Sequence, residues 1–469
     1  MEAIRSSPCL EGCPNEIIEW IVTTLELKDI ANLRCTSRSM KVKTTQDRFR
    51  RFFRSKSIRL DEAFLSSFVH HTQPGMLGCL VQELDIVGLV QNTERCGPDV
   101  LERLQSDLNA QQKAKDVAAV LSRSGRDIEL LARAFKNLEG NGRGPIRKLR
   151  LAIKVNRDAA VSEFEPLEGG SFKLIWQKAA ETLRTTLAAL VRSEGVVHEL
   201  DAFSELRRCA IAGNELSMID TNDRSIRATM KSLKTLSISV SGRIIARTEE
   251  EASELEPPSF QSMGSHKPPT PRDQDVMKSE ADDENNFTGL SKLLAQCSNL
   301  STMDLHFYDL QSAVETHRSR YFTRIVENTT FANLTGIRLR GFHVHEEDLL
   351  TFVQRSPLRM LNFENLYMEQ GTWRALFDYI AKGPQKYDWI LVDDLFENRE
   401  LLYFSGDGDG RPKFPSLCGT VGTNGFLRRG EDVKRAARYH FAADRPYGTP
   451  QAYNWRVRRQ IEYGPPNGL

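Results

Sequence analysis

A six-residue pattern, L-x-x-L-x-L in idealised form, recurs along this chain and limits its fold more than any other feature. It reads VQELDI (81–86), IRKLRL (146–151), LRRCAI (206–211), LKTLSI (233–238), LSTMDL (300–305), LTGIRL (334–339) and LRMLNF (358–363), with YDWILV (387–392) as a degenerate eighth copy. In an extended strand the last two apolar positions fall on one face, and the first anchors the turn leading in. One such hexad is a weak signal, but seven in register predict a set of equivalent strands.

Between the hexads lie amphipathic stretches. FKLIWQKAAETLRTTLAALVRSEG places Leu174, Ile175, Ala179, Leu183, Leu187, Leu190 and Val191 at three- and four-residue steps and stops at Gly195. HEEDLLTFVQRSP opens with acids, which suit a helix N-terminus, and ends before Pro357. The unit is therefore strand, turn, helix, turn. In the C-terminal half its period is roughly 24 to 34 residues, near that of a leucine-rich repeat; earlier gaps of about 60 to 65 residues read as double-length units with extra helices, as in the run from Asp99 to Gly140. The asparagine ladder of regular repeats is missing, so an irregular array is expected, in which no unit buries its apolar face alone. Thr248 to Phe287 is rich in acids and prolines and poor in large apolar side chains, and is expected to be a disordered insertion carrying a proline-directed Thr270-Pro271 site. The Gly-rich and aromatic end, 405–469, reads as a cap and tail.

The 64 Lys and Arg against 63 Asp and Glu leave a net charge of +1, which removes any global attraction to nucleic acid or an anionic membrane. The start lacks a basic and then apolar leader, and nowhere do about 18 apolar residues stand in a row, so a soluble intracellular protein is expected. Eight cysteines scattered over so long a chain read as reduced, mostly buried thiols.

The N-terminal stretch CPNEIIEWIVTTLELKDIANLRC carries more apolar surface than a short helical unit can bury. On a wheel at 100° per residue Trp20, Ile17, Ile21, Leu25, Ile18 and Val22 span roughly 200°, against the ~100° that a helix on one core needs. A second helix follows with Ile30 and Leu33, and a third is expected from a Thr36 or Ser37 cap through TTQDRFRRFFR. The surplus face calls for a partner.

The run Pro14, Glu16, Ile17, Ile18, Ile21, Leu25, Leu27, Asp29, Ile30, Leu33, Arg34, Cys35, Ser37, Arg38 resembles the F-box motif, with Cys13 where that family has Leu. The resemblance covers about the first 50 residues. It implies a three-helix F-box (10–58) that docks on the adaptor Skp1 and, through it, a cullin, using Pro14, Ile17, Ile18, Ile21, Leu25, Leu27, Ile30 and Leu33 as the adaptor-facing surface or the packing that shapes it. The remainder is similar to the irregular leucine-rich-repeat-like domains of fungal F-box proteins. The expected fold is thus α/β: an F-box, then a leucine-rich-repeat-like solenoid in two parts (78–247 and 288–404) separated by the insertion (248–287). The implied function is substrate recognition for an SCF-type ubiquitin ligase, cytoplasmic or nuclear, without catalysis or cofactor. A repeat scaffold that holds Skp1 outside ubiquitin transfer is the other reading.

Rival chemistry is thin. His343 and His345 beside Glu346, Glu347 and Asp348 have metal-ligand composition, but a solvated strand end running into an acidic helix start explains them. DGDGR (407–411) has Arg411 where a calcium loop needs an oxygen ligand. RFRRFFRSKSIR (48–59) reads as an amphipathic helix with solvated bases rather than a nucleic-acid patch. No glycine-rich phosphate loop or nucleophile elbow is present.

Overall fold

The computed structural model describes residues 9–91, 121–122, 124–140, 145–156, 163–166, 172–248, 270–310, 314, 317–405, 423–441 and 450–465. After a 3-10 turn (Leu10–Gly12), the described residues form four short helices, α1 (Asn15–Thr23), α2 (Leu27–Thr36), α3 (Arg38–Lys43) and α4 (Asp47–Arg51), followed by strand β1 (Ser55–Arg59) and helix α5 (Glu62–His71). Ser37 caps α3, its side chain accepting from the Met40 amide at 3.1 Å. The expected long third helix is instead broken. The Thr44 hydroxyl and amide both return to the Met40 carbonyl, ending α3, and SKSIR forms a strand of the main sheet, so the helical unit stops short of residue 58.

Then come β2 (Glu83–Gln91), α6 (Arg126–Gly140), β3 (Ile146–Asn156), the two-residue β4 (Glu163–Phe164), α7 (Phe172–Ser193), β5 (Val197–Ala202), β6 (Ile211–Ala212), α8 (Gly213–Ser217), α9 (Arg224–Lys231) and β7 (Thr235–Ser241). The C-terminal half continues with α10 (Gln274–Asp282), α11 (Asn285–Ala295), β8 (Thr302–Tyr308), α12 (Arg320–Asn328), β9 (Gly336–Arg340), β10 (His343–His345), α13 (Glu346–Arg355), β11 (Met360–Glu364), β12 (Tyr367–Gln370), α14 (Trp373–Lys382), β13 (Trp389–Asp393), β14 (Phe396–Glu397), β15 (Glu400–Ser405), β16 (Gly425–Arg429), β17 (Arg438–Phe441) and α15 (Pro450–Tyr463).

Among the described residues the strands form an open α/β sheet in the order β1-β2-β3-β5-β7-β8-β9-β11-β13-β16, parallel except for the last pair and not closed into a barrel; β10, β12, β14, β15 and β17 make a second, smaller sheet. Sequential parallel strands joined by crossovers of one hand place their helices on one face. The helices accordingly pack neighbour to neighbour in chain order, α5 on α6 on α7 and α11 on α12 on α13 on α14.

Hexad physics explains the core. The last two apolar positions point at the helices: Leu84 and Ile86, Leu149 and Leu151, Leu236 and Ile238, Met303 and Leu305, Ile337 and Leu339, Leu361 and Phe363, Ile390 and Val392 are all buried. The first positions, from Val81 to Tyr387, are buried under the entering turns. LRRCAI is the exception. Here the strand is β5, whose Val197, Leu200 and Ala202 carry the same spacing with Ala in the last place, and the expected hexad spans a turn with Phe203 and Arg208 at φ 65° and 55°.

The proposed insertion also needs correction. It does lie between strands that pair directly, since Thr235 of β7 sits opposite Thr302 of β8. Residues 270–287, however, are ordered into α10 and the start of α11, with Met277, Ala281 and Phe287 buried. Asp273 caps α10 by accepting from the Asp275 amide at 2.8 Å, and Arg272 grips Glu280 through two bonds of 2.8 and 3.0 Å. Thr270 is exposed, while 249–269 lie outside the described residues, as does DGDGR. Most of the run from Asp99 to Arg123 is likewise outside, α6 being its described continuation.

Candidate functional site

The N-terminal helices divide the predicted adaptor residues in two. Ile18 and Ile30 are fully buried with Val22, Met40 and Phe49, and Cys13, Ile21, Leu25 and Leu33 pack half-buried around them. Pro14, Ile17 and Leu27 remain exposed, the last two at 47% and 40%. Trp20, absent from the predicted set although it lies on the same wheel arc, is 71% exposed. Glu19 of the same helix turns inward, its Oε1 accepting from the Arg48 amide at 2.8 Å and joining α1 to α4. Lys43 ties the chain entry down by donating to the Glu11 and Cys13 carbonyls, each at 2.6 Å.

The sheet face opposite the helices carries a polar row. Its residues, in strand order, are Asp85, Arg150, Asp201, Ser237, Asp304, Arg338 and Asn362. Charges there satisfy one another. Arg150 Nε bonds Asp85 at 3.0 Å, Arg340 Nε bonds Asp304 at 3.0 Å and Arg338 Nε bonds Glu364 at 2.8 Å. Burial works against the Glu364 carboxylate, but the hydrogen bond and charge of Arg338 outweigh it and hold its pKa below the ordinary value. Burial dominates at Asp304 and raises its pKa despite Arg340 and Arg338.

One row further along the strands, Ser239, His306, Arg340 and Glu364 stand opposite one another. Helix α15 returns across this row from the far end of the chain. His306 Nε2 donates to the Glu462 carbonyl at 2.8 Å, which leaves Nδ1 to accept from the Ser239 hydroxyl at 3.0 Å. Burial, reinforced by the Arg340 charge, pushes the His306 imidazole down to about 3. The pair has the composition of a nucleophile and base, yet both side chains are sealed beneath α15 and the imidazole proton is held by a backbone carbonyl, so the arrangement is a packed polar floor.

Where the last repeats leave the main sheet, Gly341, Asn365 and Asp394 occupy equivalent corners, each one residue past its strand, with φ of 76°, 54° and 53°. Their amides reach across to the next unit, Gly341 to the Glu364 carbonyl at 3.0 Å, Asn365 to Asp393 at 2.8 Å and Asp394 to Asn424 at 3.0 Å. Gly, Asn and Asp are the residues that tolerate this conformation. The repeated endings LRG, FEN and VDD were therefore a legible signal, and this ladder stands where an asparagine ladder was missed. A cavity of about 370 Å³ opens between the Gly341 and Asn365 corners and α15, lined among others by Asp309, Arg318, His343, Tyr367 and Arg459.

The histidines resolve into local pairs. His343 stacks on Tyr367 with ring centres 4.5 Å apart and bonds Glu369 at 2.8 Å, while His345 lies 3.6 Å from Asp348. Among the described residues no group of three His, Cys, Asp or Glu side chains is placed to hold a metal ion. Six cysteines are described, all free, and only Cys209 and Cys297 are buried, fewer than expected. Among the described residues no helix is long and apolar enough to cross a membrane. No family model matches this chain, and a search of curated proteins returns no match to it.

Proposed function

We propose that this chain is the substrate-recognition subunit of an SCF-type ubiquitin ligase. The N-terminal helices form an F-box that docks on Skp1 and, through it, a cullin, and an irregular leucine-rich-repeat-like solenoid recruits the protein substrate. The observation that carries the reading is the exposed apolar set Ile17, Trp20 and Leu27 on helices whose own core, among the described residues, holds five buried apolar side chains. Exposed large apolar groups on one short unit mark an interaction site, and two of the three, Ile17 and Leu27, fall at motif positions where the F-box resemblance puts the adaptor.

Splitting the motif into exposed and buried members sharpens the test. Ile17→Asp combined with Leu27→Asp alters only exposed positions. It removes two apolar anchors at about 2 kcal/mol or more each, so affinity for Skp1 falls at least about hundredfold while the thermal transition of the array stays put. Unchanged co-purification with Skp1 by a folded double variant overturns the reading.

A further inference from the structure

The cavity between the Gly341 and Asn365 corners and α15 stays open with the helix in its place, and its wall is fixed by main-chain bonds. The Asp309 amide donates to the Tyr463 carbonyl at 2.7 Å, and the His306 ring holds the Glu462 carbonyl at 2.8 Å. Cations outnumber acids around it. Against Asp309, the one carboxylate among the described lining residues, stand Arg318, Arg456 and Arg459.

Arg459 is the group that asks for a ligand. Its guanidinium is half-buried against the Trp455 and Phe396 rings, whose centres lie 4.3 and 4.4 Å away, so its N–H donors must find acceptors at its edge. Nε donates to Asn365 Oδ1 at 2.8 Å, and Nη2 to the same oxygen and to the Tyr367 hydroxyl. Both acceptors are neutral. Among the described residues no carboxylate lies within ion-pair distance of this guanidinium, and its Nη1 has no acceptor. A cation withdrawn from water onto neutral partners is left uncompensated. Arg318, on the same cavity, engages Asp309 through Nη1 at 2.9 Å. Guanidinium groups of this kind recognise carboxylate and phosphate oxygens. The volume of about 370 Å³ lies at the lower end of the ~300–1,000 Å³ of small-molecule sites and exceeds what inorganic phosphate fills, while His343, Tyr367 and Tyr463 add ring carbon to the wall.

We infer that this cavity binds a small organic oxyanion, an aromatic body carrying a phosphate or carboxylate, with Arg318 and Arg459 holding the anion. The ligand then bridges α15 to the strand ends, and no adaptor takes part.

Isothermal titration of the full chain with phenyl phosphate, benzoate, inorganic phosphate and phenol tests the site. At least one aromatic anion binds saturably at one site, at least tenfold more tightly than inorganic phosphate or phenol, and the tighter of the two identifies the oxyanion. Bound ligand slows hydrogen exchange in 450–463. Arg318→Gln weakens binding at least tenfold but leaves Asp309 unpaired. Gln460→Glu is the safer variant, since it keeps the main-chain bonds of Gln460, adds a competing carboxylate to the cavity wall and produces the same loss with an unchanged thermal transition. Absence of saturable binding, equal binding of phenol, or an affinity indifferent to Gln460→Glu in a folded chain overturns the proposal.

Discussion

Gly341 shows how much of this molecule is decided at single residues. It takes φ 76° at the end of β9, and a Cβ there would lie 2.2 Å from the Phe307 carbonyl oxygen, a contact with backbone that cannot swing away. Gly341→Ala therefore incurs both the left-handed penalty and a displacement of the neighbouring strand, about 2–4 kcal/mol in all. Asn365→Ala at the equivalent corner, φ 54°, already holds a side chain and loses about 1–2 kcal/mol. Urea unfolding of the two variants checks the difference, and a Gly341→Ala variant within 0.5 kcal/mol of wild type contradicts the corner geometry. These residues also mark the limit of what the sequence tells. Their type and their place after each hexad are visible in it, but the amide of each corner reaches a carbonyl of the next unit only because the strands stack, a relation that spans 23 to 30 residues of chain and has no local signature.

At the scale of elements, α15 and the strand ends beneath it form a pH-sensitive contact. His306 is held neutral at about 3 where it is covered, against about 6.5 for a free imidazole. Its covered state takes up fewer protons than its released or unfolded state, so stability rises with pH between these values. The contribution is whole above about pH 6.5 and falls by about 1.4 kcal/mol per pH unit below it. Asp304, raised by burial, works in the opposite direction, so the useful measurement is a difference. Between pH 7 and pH 5 the wild type loses about 2 kcal/mol relative to His306→Gln in chemical denaturation; parallel pH profiles count against a buried neutral imidazole. Elements were unequally legible. Helix α7 follows from its stripe, and its Ile175, Ala179, Leu183, Leu187 and Leu190 are buried as the spacing demands. Helix α10 was hidden because its apolar face is only Met277 and Ala281, with a cap and an Arg272–Glu280 pair contributing the rest. A composition average over forty residues dilutes such a face to nothing. Helix α15 hid for a similar reason, since its stripe of Trp455, Arg459 and Tyr463 mixes rings with a charge.

For the whole molecule, the described residues form three separate hydrophobic clusters of very unequal size, the smallest being Phe396, Leu401 and Tyr403. The largest runs from Ile58 to Val433; the N-terminal one consists of Ile18, Val22, Ile30, Met40 and Phe49. A fully buried side chain contributes about 1.5–3 kcal/mol before ordering costs, so five cannot give the N-terminal helices the stability of the array. Exchange of amides in residues 15–51 is therefore expected to be governed by local unfolding, orders of magnitude faster than in β8, β9 and β11, and the proposed ligase function adds that it slows when Skp1 is bound. Mass-spectrometric exchange with and without Skp1 measures both, and uniform protection across the chain refutes the division. The repeated strands and the surplus N-terminal face were legible because burial writes them into every unit; the path of the C-terminus was not, because it depends on polar groups that acquire meaning only when distant strands line up. The end strands of the sheet, finally, bear on the company the molecule keeps. A stack of parallel strands is in principle extendable, each copy offering its first strand to the last strand of another. Here β1 exposes Lys56 and β16 exposes Arg429. Head and tail thus carry the same sign, and a molecule built like a segment of a fibre repels the next segment that would continue it.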